Sequence, residues 1–380
     1  MTLKRSLANT ALAALAFAVA LCASEAVVRL LYKDETVLFP RYHTDYRYER
    51  YVIRGIRPNV RFQHTSVDGS WTFITNSRGF RNTKEFAYDK PAGTLRILSL
   101  GDSQTQGYEV AQDATFSAVA ERYIESREAK AEVINAGVSG FSTAEALVFL
   151  ENEGVKYRPD VVVLGFYAND FDDNLKADLF TLDEQGALVE NKHEHIPGVR
   201  IQNAMYGIPG VAWLSENSYL YSMLFNSVWA AAKTRLAVQA REHAAARIGA
   251  SPGDGLEYAV PASGALSAHQ VAVTAALLVR MRRFCTDKGI RFIVADIPAR
   301  RGPFRIESSV PPALRSRLAA AGVELIASES LFQPFDGVVQ MHVGHGHQHI
   351  SEFTHALIGA ELGRRALEPL RAPTPAQPPP

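Results

Sequence analysis

Five short apolar runs, spaced by amphipathic helical patterns, constrain the fold of this 380-residue chain more than any other feature. Arg96–Leu100, Glu132–Ala136, Val161–Phe166, Arg291–Ile297 and Val323–Ile326 have the length and β-branched content of strands buried on both faces. Phe116–Ser126, Thr143–Asn152, Val271–Lys288 and Pro312–Ala321 read as helices between them. Strands that are apolar on both sides must be covered on both sides. The alternation therefore predicts a flavodoxin-like, three-layer α/β/α domain around a central parallel sheet. Ligands in such sheets sit outside the carboxyl ends of the strands. Ser103, Gly137–Gly140 and Asn169 each directly follow a predicted strand.

The rest of the chain divides around that domain. After Lys4-Arg5 the chain is uncharged from Ser6 to Ser24, nearly enough at about 1.5 Å per residue to span a hydrocarbon core. The flanking basic residues favour a cytoplasmic N-terminus, so the remainder is expected outside the cytoplasm, in the periplasm. Residues 1–33 read as a membrane anchor, because the helical pattern continues through Glu25, Arg29 and Tyr32. The alternative is a signal peptide cut near Ala23-Ser24 or Ala26, which would give a secreted protein. Residues 34–94, with turns at Pro58-Asn59, Asp68-Gly69 and Asn76–Gly79, read as a small β-rich lead-in. The main domain is expected over residues 95–371. An insertion at about 173–269 contains a helix near Val228–Arg247 and a Gly/Pro/Ser loop around Gly249–Gly264. Residues 372–380 form a Pro-rich tail expected to be disordered.

Charge excludes one class of partner. Lys+Arg and Asp+Glu are equal at 40 each, and no basic stripe is interleaved with aromatics, so nothing supports nucleic-acid binding. Cys22 and Cys285 lie in unrelated segments and are not expected to pair. The sequence leaves the oligomeric state open.

Four separated elements fit one chemistry in chain order. Gly101-Asp102-Ser103 ends the first strand and offers a hydroxyl nucleophile. Asn135-Ala-Gly137-Val-Ser-Gly140 follows the second and exposes backbone N–H groups. Asn169 follows the third and offers a carboxamide donor. His347-Gln-His349-Ile-Ser-Glu-Phe-Thr-His355 opens the last helix and offers a base. A hydroxyl, a base and donors around a developing oxyanion are what ester cleavage requires. Asp102 is read as holding the turn, Asp170, Asp172 and Asp173 as a solvated loop, and His355 as a helix-face residue. The cluster His342, His345, His347, His349 and His355 lacks the Cys or carboxylates that would complete a metal site, so no metal and no cofactor are expected.

With these motifs, residues from about Pro58 to Leu367 resemble the SGNH/GDSL hydrolase family. The Pro58-Asn59 and Asn76-Ser-Arg-Gly-Phe-Arg81 lead-in resembles that of its membrane-tethered bacterial members. The resemblance implies Ser103 as nucleophile and His349 as general base. It implies an oxyanion hole from the Ser103 N–H, Gly140 and Asn169. One departure stands out. The family carries an Asp two or three residues before the catalytic His, and here those positions are His347 and Gly346. In serine proteases, replacing the equivalent carboxylate by an amide lowers turnover by roughly four orders of magnitude. Asp336, a backbone carbonyl or His347 could take that role, giving a modified triad or a Ser–His dyad. The expected activity is cleavage of short, acetyl-like esters, on envelope or exported polysaccharide. The alternatives are an O-acyltransferase using the same site, and an inactive carbohydrate-binding or envelope assembly protein.

Overall fold

The computed structural model describes residues 2–48, 51–191, 197–250, 264–345 and 348–368. The Pro-rich tail, most of the Gly/Pro/Ser loop and His347 lie outside these residues. Helix α1 (Thr2–Leu31) is followed by two antiparallel hairpins, β1 (His43–Tyr48) with β2 (Tyr51–Ile56) and β3 (Arg61–Ser66) with β4 (Gly69–Ile74). Then come β5 (Thr94–Gly101), α2 (Ser103–Gln106), α3 (Phe116–Glu125), β6 (Lys130–Asn135), α4 (Thr143–Asn152), β7 (Val161–Phe166) and α5 (Asp170–Ala177). Next are a small hairpin, β8 (Phe180–Leu182) with β9 (Leu188–Glu190), and α6 (Pro197–Tyr206), α7 (Val211–Asn217) and α8 (Tyr219–Ile248). The chain returns through α9 (Gly264–Asp287), β10 (Arg291–Asp296), a two-residue ribbon of β11 (Ala299–Arg300) and β12 (Ile306–Glu307), α10 (Pro312–Ala320), β13 (Glu324–Ile326), α11 (Ser328–Phe332) and α12 (Glu352–Ala366).

The central sheet has five parallel strands in the order β6-β5-β7-β10-β13. Numbered along the chain this is 2-1-3-4-5, the flavodoxin-like winding. The order reverses between β5 and β7, and sheets of this kind bind their ligands beyond the strand ends at such a reversal. Ser103 follows one of these strands and Asn169 the other.

Alternation within each strand builds two cores. Ile97, Val133, Val161, Val163 and Ile293 face one side, packed with Phe116 and Ile124 of α3 and Ile358 and Leu362 of α12. Leu98, Leu100, Ile134, Val162 and Leu164 face the other, with Leu147 of α4 and Leu277, Leu278 and Met281 of α9. Ile53, Phe62, Phe73 and Phe80 of the lead-in join this second core. The hairpins are thus packed into the same apolar interior as the sheet.

Strand and helix ends shift by a residue or two in several places, and three elements differ from expectation by more. Helix α9 begins earlier than Val271. Helix α8 begins at Tyr219, well before Val228, because its first turn is capped from elsewhere. The Ser218 hydroxyl accepts from the Tyr221 N–H (3.1 Å), and the Glu25 carboxylate accepts from the Tyr219 and Leu220 N–H groups (3.0 and 2.9 Å). Asp170, Asp172 and Asp173, expected in a solvated loop, lie instead in the first turn of helix α5 (Asp170–Ala177). Asp170 is buried in it, and Asp172 pairs with Arg241 of α8 (2.7 Å).

Near the N-terminus, Arg5–Leu31 is long and apolar enough to cross a membrane, with mean hydropathy 2.2 and 6% of its most apolar window buried. Membrane anchors and signal sequences share that property, and both are consistent with export.

Candidate active site

Strand β5 delivers Ser103 to its carboxyl end, where the strand order reverses. Asp102 caps α2, its Oδ1 accepting from the Gln104 N–H (2.9 Å), which fits its expected part in holding the turn. Beyond α2 the chain reverses through Gly107, Tyr108 and Glu109. Buried Arg81, the last residue of the Asn76–Arg81 motif, ties this turn down. Its guanidinium donates to the carbonyls of Gln106 (2.8 Å), Gly107 and Val110 (2.7 Å).

His349 Nε2 lies 2.9 Å from Ser103 Oγ, so the two residues meet across 246 positions of sequence. The segment carrying His349 is fixed on both sides. The Ile350 N–H donates to Gln104 Oε1 (3.0 Å), and Gln104 Nε2 donates to the Gln348 carbonyl (3.3 Å). The Val343 N–H donates to the His349 carbonyl (2.9 Å). The imidazole stacks on the Tyr108 ring at 4.4 Å between centroids. Tyr108 in turn packs on Phe39 and His64 of the lead-in. The lead-in therefore supports the second layer behind the histidine.

Gly137 and Gly140 lie beyond β6. A Cβ at Gly137 would approach the Gln106 N to 2.4 Å, so only glycine lets this loop pack against α2. Gly140 has φ +80°, and a Cβ there would meet Arg54 Nη1 at 2.5 Å. Asn169 follows β7, and its Nδ2 donates to Asp102 Oδ2 (3.1 Å) and Asp173 Oδ2 (2.8 Å). Burial pushes the Asp102 carboxyl up to about 7. Asp170 is also raised, by burial and then by the neighbouring Asp102.

The remaining candidates have other partners. Asp336 is engaged away from the imidazole: it accepts from Arg305 Nη1 and the Ile306 N–H (both 3.0 Å) and stays well ionised through them. The carboxylate set against His349 is instead Glu109, with Oε2 4.0 Å from Nδ1. His342 is buried against the Pro298 carbonyl (2.9 Å), and His345 Nδ1 lies 3.0 Å from Asp68. His355 is fully buried rather than merely on a helix face. Its Nδ1 accepts from the Phe116 N–H (3.1 Å), and burial pushes it down to about 3.

Sequence reasoning missed Gln104, Tyr108 and Glu109. The only available signal was a lone acidic residue between Gly107 and Val110, and it carries no meaning until the histidine segment is placed beside it.

A model of the GDSL-like lipase/acylhydrolase family matches residues 99–293, half of the chain. The chain belongs to that family. No curated protein sequence matches it significantly. Among solved structures, it is similar to the lipase/acylhydrolase from Enterococcus faecalis, at 19% identity and TM-score 0.38, over 73% of this chain and all of that one. It is similar to an acetyl xylan esterase, AlAXEase, at 11% identity and TM-score 0.37, over 72% of this chain and all of that one. A two-domain esterase active on acetylated mannans matches at 11% identity and TM-score 0.37, over 73% of this chain and 50% of that one.

Proposed function

We propose that this GDSL-family protein is an exported, membrane-tethered serine esterase that removes short acyl groups, such as acetyl, from envelope or exported polysaccharide. The contact between Ser103 Oγ and His349 Nε2, at 2.9 Å beyond the strand end, carries the reading. His349 takes the Ser103 proton as the oxygen attacks the ester carbonyl. The N–H groups of Ser103 and Gly140 and the Asn169 carboxamide receive the oxyanion. In the resting site Asn169 donates to Asp102 and Asp173, so one of these bonds is exchanged for the oxyanion. Collapse expels the alcohol, protonated by His349, and leaves an acyl-serine. Water activated by the same imidazole then releases the acid.

Tethering through residues 1–33 is supported by Glu25 and Arg29. Glu25 caps α8, and the Arg29 Nη2 donates to the Asn217 carbonyl (2.5 Å). Cleavage near Ala26 would remove the cap, whereas an uncleaved anchor keeps it. Acetylated-glycan esterases among the structural neighbours motivate the substrate class.

Intact-mass detection of a fluorophosphonate adduct tests the chemistry on wild type, Ser103→Ala and His349→Ala. One adduct on wild type and none on either variant is expected. No adduct on folded wild type would overturn the esterase reading in favour of a binding or assembly role. Release of acetate from acetylated polysaccharide tests the substrate class. Transfer to an acceptor glycan without net release would make the protein an acyltransferase.

A further inference from the structure

We propose that Glu109 is the carboxylate that orients His349 and stabilises its protonated form, in place of the Asp that the family keeps just before its histidine. The inference rests on the serine-esterase reading above and specifies that site's third member. For the Ser103 hydroxyl to donate to Nε2, neutral His349 must carry its proton on Nδ1. Nδ1 is the nitrogen that faces Glu109, with Oε2 at 4.0 Å and the Glu109 side chain fully buried. Burying a carboxylate is costly unless something charged or polar answers it, and the imidazolium formed during attack is such a group.

The backbone is built for this placement. Glu109 has φ +58°, a left-handed conformation that non-glycine side chains rarely adopt. Arg81 clamps the carbonyls on either side of it, and the Ala111 N–H donates to Glu352 Oε1 at the start of α12 (2.8 Å). The strained residue is thus held from the lead-in and from the helix that follows the histidine. A separation of 4.0 Å is beyond a hydrogen bond, and it closes as charge develops on the ring.

Other groups face this pair. Ser66 and Asp68 of the β3–β4 hairpin lie on the Glu109 side, and Asp68 also pairs with His345. On the imidazole side are Ser103 and the Tyr108 ring, with His64 against Tyr108 and Arg41 nearby. Burial pushes Glu109 up to about 7, Asp68 adds to the rise, and the Ser66 hydroxyl opposes it. Near neutral pH the carboxyl is therefore poised, and it is held ionised once His349 gains a proton.

The test uses the full-length protein in detergent, as wild type, Glu109→Gln and Glu109→Asp, with fold checked by circular dichroism. Two measurements are made across pH 5–9 (about the range of imidazole titration). One is the fluorophosphonate labelling rate at Ser103. The other is the His349 titration, followed by nitrogen-15 NMR of the ring. Glu109→Gln is expected to label at least about a hundredfold more slowly, and its His349 titration is expected to fall by about one pH unit. Glu109→Asp should recover part of both. If wild type labels and Glu109→Gln labels within about threefold of it with the same pH profile, the proposal is overturned while the esterase reading stands. If wild type does not label, the esterase reading fails, and the NMR arm still judges the pair. An unmoved His349 titration in Glu109→Gln overturns it.

Discussion

Gln104, the residue after the candidate nucleophile, holds the segment of the candidate base through Ile350. Its Oε1 accepts from the Ile350 N–H at 3.0 Å, and its Nε2 reaches the Gln348 carbonyl at 3.3 Å. One side chain on α2 therefore sets the distance between two loops that the sequence separates by more than half its length. Gln104→Ala is expected to lower the labelling rate of Ser103 by about ten- to a hundredfold, because misplacing a reacting pair by an ångström costs on that order. Its stability should fall by only about 1–2 kcal/mol, the net worth of the lost hydrogen bonds. Labelling kinetics beside thermal melts separate the two effects.

Gly140 offers a sharper test of the proposed oxyanion site. Its φ of +80° makes any L-residue strained, and Arg54 occupies the space a Cβ would take. Gly140→Ala keeps the N–H but shifts it as the backbone relieves that strain, so ester hydrolysis should fall by up to about a hundred- to a thousandfold, the range seen when one oxyanion donor is lost outright. Steady-state rates with a short-chain ester check this, and a melting temperature close to wild type would localise the damage to the site.

Arg81 links the lead-in to the site, since three carbonyls of the turn that carries Tyr108 and Glu109 end on its guanidinium. Arg81→Met keeps the bulk and removes the donors. It should destabilise by about 3–5 kcal/mol, because buried carbonyls left unpaired are expensive. Chemical denaturation of the two proteins gives the difference directly.

The acid limb of stability should show His355. Burial lowers its pKa from the ordinary value of 6.5 to about 3. The unfolded chain therefore binds a proton that the folded one refuses. Its contribution is present above pH 6.5 and is lost as pH falls toward 3. His355→Asn, whose side-chain oxygen can still accept from the Phe116 N–H, should flatten the slope of stability against pH in that window. The expected change is one proton, about 1.4 kcal/mol per pH unit. Denaturant melts at a series of pH values measure it.

Glu25 joins the apolar N-terminal helix to α8. Glu25→Ala removes the acceptor for the Ser218 hydroxyl and for two N–H groups of the first turn. The first turn of α8 should fray, with a loss of about 1–3 kcal/mol. Amide exchange at Tyr219–Tyr221 in the full-length protein reports the fraying.

Val161–Phe166 and Thr143–Asn152 were legible in the sequence to the residue, because an apolar run buried on both faces and a capped helix announce themselves locally. The turn that carries Ser103 and the glycine loop were legible for the same reason: Gly-Asp-Ser directly after a strand leaves the serine little choice of place. Asp170, Asp172 and Asp173 read as a solvated loop because clustered carboxylates are ordinarily exposed, and they form instead the first turn of α5. Its burial depends on Arg241 and on Gln270, whose Nε2 donates to Asp172 (2.8 Å). The start of α8 was missed because its cap comes from Glu25, 193 residues away from Ser218.

By itself, then, the sequence determined the layer architecture, the strand that carries Ser103 and the family, all of which follow from patterns within a few turns of chain. Only the tertiary structure decided which carboxylate faces the histidine. Asp336 goes to Arg305, whereas Glu109 is brought to 4.0 Å from Nδ1 by the winding of β5 and by the return of the chain after β13. Hydrophobic periodicity is a local property and can be read along the chain. The meeting of an imidazole and a carboxylate 240 residues apart is set by packing, which no local pattern encodes.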